Sequence, residues 1–221
     1  MIRFRHCVNT FVINCKVITL CLFLQPLYAV SQTLDNQLWA SIKAEKKLAS
    51  RFKLELEQQI RLKDNLSTFK KTFSEISVRY KLTKNLYFSG DYRFIVYTDQ
   101  IGRRISMNAT YEGAIGSFSP RYRLRFQRES EPEKEPEQHL RNKLTLHYRL
   151  SKRLSPYVAG EVFHLIENPA NQFMKYRLTL GIKNRIVKSN SVNFFYRLQK
   201  EVNDPKPKTW NIWGLSYEVD F

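Results

Sequence analysis

Apolar residues recur at every second position along most of this chain. Residues 51–62 set Phe52, Leu54, Leu56, Ile60 and Leu62 on one parity against Arg51, Lys53, Glu55, Glu57 and Arg61 on the other. The alternation returns at 73–82, 86–96, 104–115, 120–127, 140–150, 174–182 and 192–198, and less regularly at 157–166. The segment 210–221 closes it, with Trp213, Leu215, Tyr217, Val219 and Phe221 interleaved with Gly214, Ser216, Glu218 and Asp220. A period of two marks a strand with one apolar and one polar face. A helix would repeat at i, i+3 and i+4 instead, and no stretch does so over any length. With residues 36–47 the pattern predicts eleven strands and an all-β chain.

Connections of two kinds alternate between these strands. Tight ones are predicted near Ala49-Ser50, Thr83-Lys84-Asn85, Ser117-Phe118-Ser119, Ser151-Lys152-Arg153 and Lys188-Ser189-Asn190. Longer polar ones are predicted at 63–71, 98–103, 128–138, 166–172 and 203–209. Short turns at one end and long loops at the other are the habit of outer-membrane barrels. Strand length agrees. Eleven residues at ~3.4 Å each span about 37 Å, and a 45° tilt leaves about 26 Å, the height of the apolar band of such barrels. Tyr80, Phe88, Tyr122 and Tyr148 share the apolar parity near tight turns, as an interfacial aromatic girdle requires. The expected fold is an antiparallel, up-and-down transmembrane β-barrel of 10–12 strands with short periplasmic turns and longer outer loops. The odd count of eleven conflicts with the even numbers of bacterial single-chain barrels. Either 36–47 stands outside the wall or one predicted strand is really two. A soluble β-sandwich rich in tyrosine remains the competing reading, because period two does not say which face is outside.

The first 31 residues change the compartment. They carry Arg3, Arg5 and Lys16, no acid, and an eight-residue apolar run from Val17 to Leu24 followed by small residues at Ala29 and Ser31. That is the layout of a secretory signal, with cleavage expected before Gln32 or, second, after Ala29. The run is too short for a membrane helix, and Leu20 before Cys21 does not fit a lipoprotein signal. Residues 1–31 are thus a predicted signal peptide for Sec-type export, and 32–221 a single barrel domain. Cys7, Cys15 and Cys21 all lie in the signal, so the remainder has no thiol chemistry. Removing the signal's three bases from the 37 Lys and Arg leaves 34 against 20 acids, a net charge of +14. Such a charge usually points to nucleic acid or anionic surfaces. Here the bases alternate with apolar residues instead of clustering, and an exported chain would rarely meet nucleic acid. The mean hydropathy of −0.46 would read as soluble, but barrels hide from hydropathy because inner and outer residues alternate.

Two resemblances follow from particular residues. A last strand ending on an aromatic, here Phe221, resembles the C-terminal signal read by the barrel-assembly machinery, which would be a partner during biogenesis. The hairpin from His147 to Phe163, HYRLSKRLSPYVAGEVF, resembles those of an uncharacterised outer-membrane barrel family known as domain of unknown function 2490. The segment Tyr80–Leu86 followed by Asp91-Tyr92-Arg93 repeats the style, as does Arg61–Asp64, and the likeness covers nearly all of 33–221. It implies an outer-membrane location, with lipid and lipopolysaccharide as surroundings. It brings no activity.

No chemistry stands out. His139, His147 and His164 have no metal-ligand spacing, and nucleophile-elbow, phosphate-loop and dinucleotide motifs are missing. No cofactor, metal or catalytic residue is expected. The polar parity is more informative. Glu57, Arg61, Glu75, Arg79, Arg93, Arg121, Arg123, Arg125, Glu161, Arg177 and Arg197 are the expected lumen lining. Their mixed signs predict cross-strand ion pairs filling the interior. Bases exceed acids, most visibly at Arg121, Arg123 and Arg125 on one strand. The expected role is therefore a structural or adhesive barrel or a narrow pore preferring small anions. Alternatives are a membrane-embedded enzyme acting on lipid or lipopolysaccharide and an exported soluble binding barrel.

Overall fold

The computed structural model describes residues 34–131, 135–166 and 171–221. The expected cleavage site lies outside them, as does the middle of the acidic loop. The elements are β1 (Leu34–Lys47), β2 (Phe52–Lys63), β3 (Thr68–Lys81), β4 (Leu86–Val96), β5 (Ile101–Glu112) and β6 (Phe118–Ser130). They continue with β7 (Glu137–Tyr148), β8 (Leu154–Ile166), β9 (Asn171–Val187), β10 (Asn190–Glu201) and β11 (Thr209–Asp220). Each strand pairs antiparallel with its neighbour in sequence, and the sheet closes on itself where β1 meets β11.

That closure resolves the odd count. Residues 34–47 are a full wall strand, and no predicted strand divides into two. With eleven strands in alternating directions the first and last must run the same way, so β1 and β11 are parallel, from Leu34↔Thr209 to Glu45↔Asp220. The seam is held by side chains as well. Ser41 Oγ donates to Ser216 Oγ at 3.0 Å inside the barrel, and Leu38, Ala40 and Ile42 stand beside Trp213, Leu215 and Tyr217 outside. A parallel ladder is slightly weaker per residue than an antiparallel one. Its cost is confined to one pair in eleven.

The strands run 11 to 17 residues, longer than the sequence pattern suggests. They consume much of the expected outer loops. Thr68–Thr72 continue the ladder with β2, so the expected loop at 63–71 contracts to Asp64–Ser67. Connections span two to five residues at the rim carrying Phe221 and four to seven at the other, a smaller asymmetry than expected. The turn expected at Ser117–Ser119 lies earlier, because Ile115 and Phe118 exchange backbone hydrogen bonds and β6 begins at Phe118. At the opposite rim Asp64, Asn65 and Leu66 all take positive φ (52°, 56° and 70°), and Asn36 Nδ2 donates to Asn65 Oδ1 at 2.8 Å.

Apolar and polar residues are distributed inside out. Among the described residues 37 large apolar side chains are exposed, whereas seven hydrophobic residues are buried. Leu56, Ile76, Met107, Leu144, Leu178 and Leu215 stand on the outer face. The inner face buries Glu75, Asp91, Arg93, Arg104, Arg125, Arg141 and Glu161. A soluble barrel would show the reverse arrangement. Near the Phe221 rim the outer aromatics pair across strands, Phe52 with Tyr80 at 5.0 Å and Phe118 with Tyr148 at 5.1 Å between ring centroids.

Two glycines are dictated by aromatic rings that lie over them. A Cβ on Gly214 would fall 2.0 Å from Cζ of Phe195, and one on Gly181 would fall 2.4 Å from Cζ of Tyr157. Both rings sit on facing cross-strand positions, Phe195↔Gly214 and Tyr157↔Gly181. Replacing Gly214 by Ala must push Phe195 off the wall and should destabilise the barrel by ~1–3 kcal/mol through overpacking. Gly90→Ala, where nothing lies within 4 Å, should be close to neutral. Denaturant unfolding followed by tryptophan fluorescence checks both.

Candidate functional site in the lumen

All eleven residues expected to line the lumen border its inner cavities. Strand alternation puts them there, because the outer face holds their apolar neighbours. Nine of them make ion pairs. Glu57 takes Lys43 at 3.5 Å and Arg79 reaches Glu55 at 3.6 Å. The rest, apart from Arg121 on Glu112, gather around three buried acids. Glu75 Oε2 accepts from Arg93 Nε at 2.6 Å and from Arg104 at 2.9 Å. Asp91 Oδ2 accepts from Arg125 and Asn108, each at 2.7 Å, and its Oδ1 takes the hydroxyls of Ser77 and Ser89. Glu161 accepts from Arg141 at 2.7 Å, Arg177 at 3.3 Å and Arg123 at 3.4 Å.

These contacts alter the expected electrostatics. The row Arg121, Arg123 and Arg125 has no acid between its members but draws one from each of three other strands: Glu112 at 2.9 Å, Glu161 and Asp91. Directly facing residues are often like-charged, as in Glu57↔Glu75, Arg93↔Arg104 and Arg125↔Arg141. Such neighbours repel, and opposite charges reaching from the strand beyond relieve them. Arg61 and Arg197 are the two expected residues with no acid partner among the described residues. Arg61 Nε donates to Gln59 Oε1 at 2.7 Å, and Arg197 Nε to Thr179 Oγ1 at 3.0 Å.

Aromatic rings do for these cations what acids do elsewhere. Arg61 stacks over Trp39 at 3.6 Å and Arg93 over Phe73 at 3.4 Å. Arg141 and Arg177 flank Phe163 at 4.3 and 4.4 Å, and Arg197 lies 4.7 Å from Phe195. A desolvated cation over a ring gains about 2 kcal/mol. Trp39, Phe73, Phe163 and Phe195 are absent from the expected lining, since they are apolar residues on the polar parity. The register makes room for such rings, because Phe195 faces Gly214 and Tyr157 faces Gly181, a large ring opposite a missing side chain.

Three inner spaces stand out among the described residues. At the Phe221 rim a cavity of about 680 Å³ is lined by Lys43, Arg79, Arg121, Lys143, His147 and Glu218, among others. His147 rests 4.9 Å from Tyr157, as an ordinary lining residue. A middle space of about 290 Å³ lies among the buried ion pairs. At the other rim a chamber of about 300 Å³ sits beneath the acidic loop. There Tyr97 donates to Glu131 and accepts from Lys71 Nζ at 3.1 Å. Burial and the bond to Glu131 raise its phenol well above the usual range. Among the described residues no cluster of three His, Cys, Asp or Glu could hold a metal ion.

Glu161 holds most together. Glu161→Gln would leave Arg141 buried without its counter-charge and weaken Arg123 and Arg177 as well. A loss of ~3–5 kcal/mol is expected, the cost of breaking a buried pair. Unfolding midpoints of this variant and of the more exposed Glu45→Gln, whose partner Lys53 is 44% exposed, should differ accordingly.

Comparison with known proteins agrees with this geometry. A bacterial polysaccharide outer-membrane secretin superposes with a TM-score of 0.54 at 8% identity, covering 74% of this chain and 62% of its own, so this chain spans under two thirds of that protein. A NanC porin superposes with a TM-score of 0.50 at 7% identity, covering 74% of this chain and 86% of the porin. At such identities the likeness establishes the barrel fold. No curated protein matches in sequence. Residues 36–211, from the third residue of β1 to the third of β11, match the family described as "Protein of unknown function (DUF2490)", and the chain belongs to that family.

Proposed function

We propose that the protein is an integral β-barrel of the bacterial outer membrane whose lumen offers a narrow path preferring small anions. The observation that carries the membrane reading is the inverted surface, with apolar side chains outside and buried charges inside. In hydrocarbon every backbone polar group must be paired internally, which a closed barrel achieves. The likeness to an outer-membrane secretin and to a porin supports the location. Export by a signal ending at Ser31 and recognition of Phe221 by the barrel-assembly machinery complete the proposal. The short-turn rim, where Phe221 is 77% exposed, then faces the periplasm.

Anion preference rests on the cations the acids do not reach. Arg61, Lys143, Lys175 and Arg197 have no ion pair among the described residues, and all four line the inner spaces. A confined field of one sign concentrates the opposite ion. The middle ion pairs narrow the route, which supports passage of small solutes over large ones.

Heat-modifiable migration of the protein in outer-membrane fractions tests the location, and mass spectrometry of the mature N-terminus should find Gln32 or a residue close to it. Leu144→Arg, on the outer face, should cost ~2–4 kcal/mol in lipid if it lies near the midplane, whereas Thr145→Ser on the inner face should cost little. In planar bilayers under a salt gradient the reversal potential should indicate anions. Glu112→Gln, which frees Arg121, should strengthen that preference. A cation-favouring potential refutes the selectivity, and silence assigns the barrel a structural role.

A further inference from the structure

The chamber at the acidic-loop rim has more buried donors than acceptors. Glu75 is shared by Arg93 and Arg104, and Glu161 by Arg141 and Arg177, so two carboxylates serve four guanidinium groups there. Arg61 and Lys175 add two further cations to the same lining without an ion pair among the described residues. Arg104 and Arg141 are 7% and 6% exposed, yet the Nε–H of each has no acceptor among the described residues. A buried donor left unpaired forfeits its hydration with nothing in return. Both arginines line this chamber beside Arg61 and Lys175, so acceptor oxygens held there would meet their guanidinium groups.

Four acids also border this space, and they do not satisfy the floor. Glu129 lies 3.9 Å from Lys71, Glu137 holds His139 at 3.0 Å, and Glu131 takes the Tyr97 hydroxyl. Glu135 and Glu137 are exposed at the rim, where water and salt screen them. The charge therefore grades from acidic at the mouth to basic below.

We infer that this chamber is a binding site for a small oxyanion, a phosphate or carboxylate group whose oxygens accept from Arg104 and Arg141 and are balanced by Arg61 and Lys175. Arginine suits this task because its planar fork matches such oxygens in pairs. At about 300 Å³ the space admits a small solute and no macromolecule. The site stands on the chamber and not on conduction. A barrel silent in bilayers leaves it intact, and a failed titration leaves the membrane reading intact.

Trp39, stacked on Arg61 at 3.6 Å, gives the site a reporter. Inorganic phosphate or acetate, titrated into the full-length barrel in detergent at constant ionic strength, should change tryptophan fluorescence saturably, and calorimetry should return the same Kd. Chloride should bind at least tenfold more weakly. Arg141→Gln should weaken phosphate binding at least tenfold. Lys175→Gln, which breaks no ion pair among the described residues and should fold normally, should weaken it several-fold. Lys53→Gln in the opposite cavity should leave it unchanged. Absence of saturation, chloride binding as tightly as phosphate, or unaltered affinity in folded Lys175→Gln would each overturn the assignment. An effect of Lys53→Gln equal to that of Lys175→Gln would do so too.

Discussion

Charge that cannot escape to water governs this molecule. Once the outer face of a closed sheet is apolar, every polar side chain must turn inward, into a lumen too narrow to hydrate it fully. Desolvating a lone carboxylate or guanidinium costs several kcal/mol even after relaxation. The interior answers by sharing: one acid serves two or three arginines, as Glu75 and Glu161 do, and rings cover cations that acids do not reach. Strand register, the glycines at 181 and 214 and the narrowness of the middle all follow from fitting these groups together.

Sharing also explains why the interior is not a simple positive tube. The residues of one strand alternate inward at nearly 7 Å spacing, so an arginine row such as 121, 123, 125 reaches acids on other strands more easily than on its own. Counting charges strand by strand overstates the field that an ion would meet. What survives is a local excess around Lys143 on one side, around Arg197 in the middle and around Arg61 and Lys175 on the other side. Two chambers with basic walls, joined by a waist crowded with shared ion pairs, behave differently from a uniform pore.

The wall was legible from the sequence because period two is set by the pleat itself. Strand β4 has the bounds the alternation suggests, and the eleven lining residues all fall inside. What the alternation does not encode is how far pairing continues into polar segments. Thr68 to Thr72 alternate poorly yet continue the ladder because β2 offers them partners. Nor does it encode lumen aromatics, since Trp39 and Phe195 violate the polar face they belong to. Their partners lie on neighbouring strands, and only the register shows Phe195 opposite Gly214. The parity conflict had the same origin. Alternation counts strands correctly but says nothing of how the first meets the last.

The parallel seam bears on the order of assembly. Without β1 the remaining ten strands would form an even set, with β2 and β11 antiparallel across the gap. The strand β1 is thus a wedge driven into an otherwise regular ring, entering at the rim opposite Phe221. It also carries Trp39, the ring on which Arg61 rests. Whenever β1 docks, its pairing with β2 and β11 also brings Trp39 against Arg61, so sealing the wall and packing the lumen are a single event.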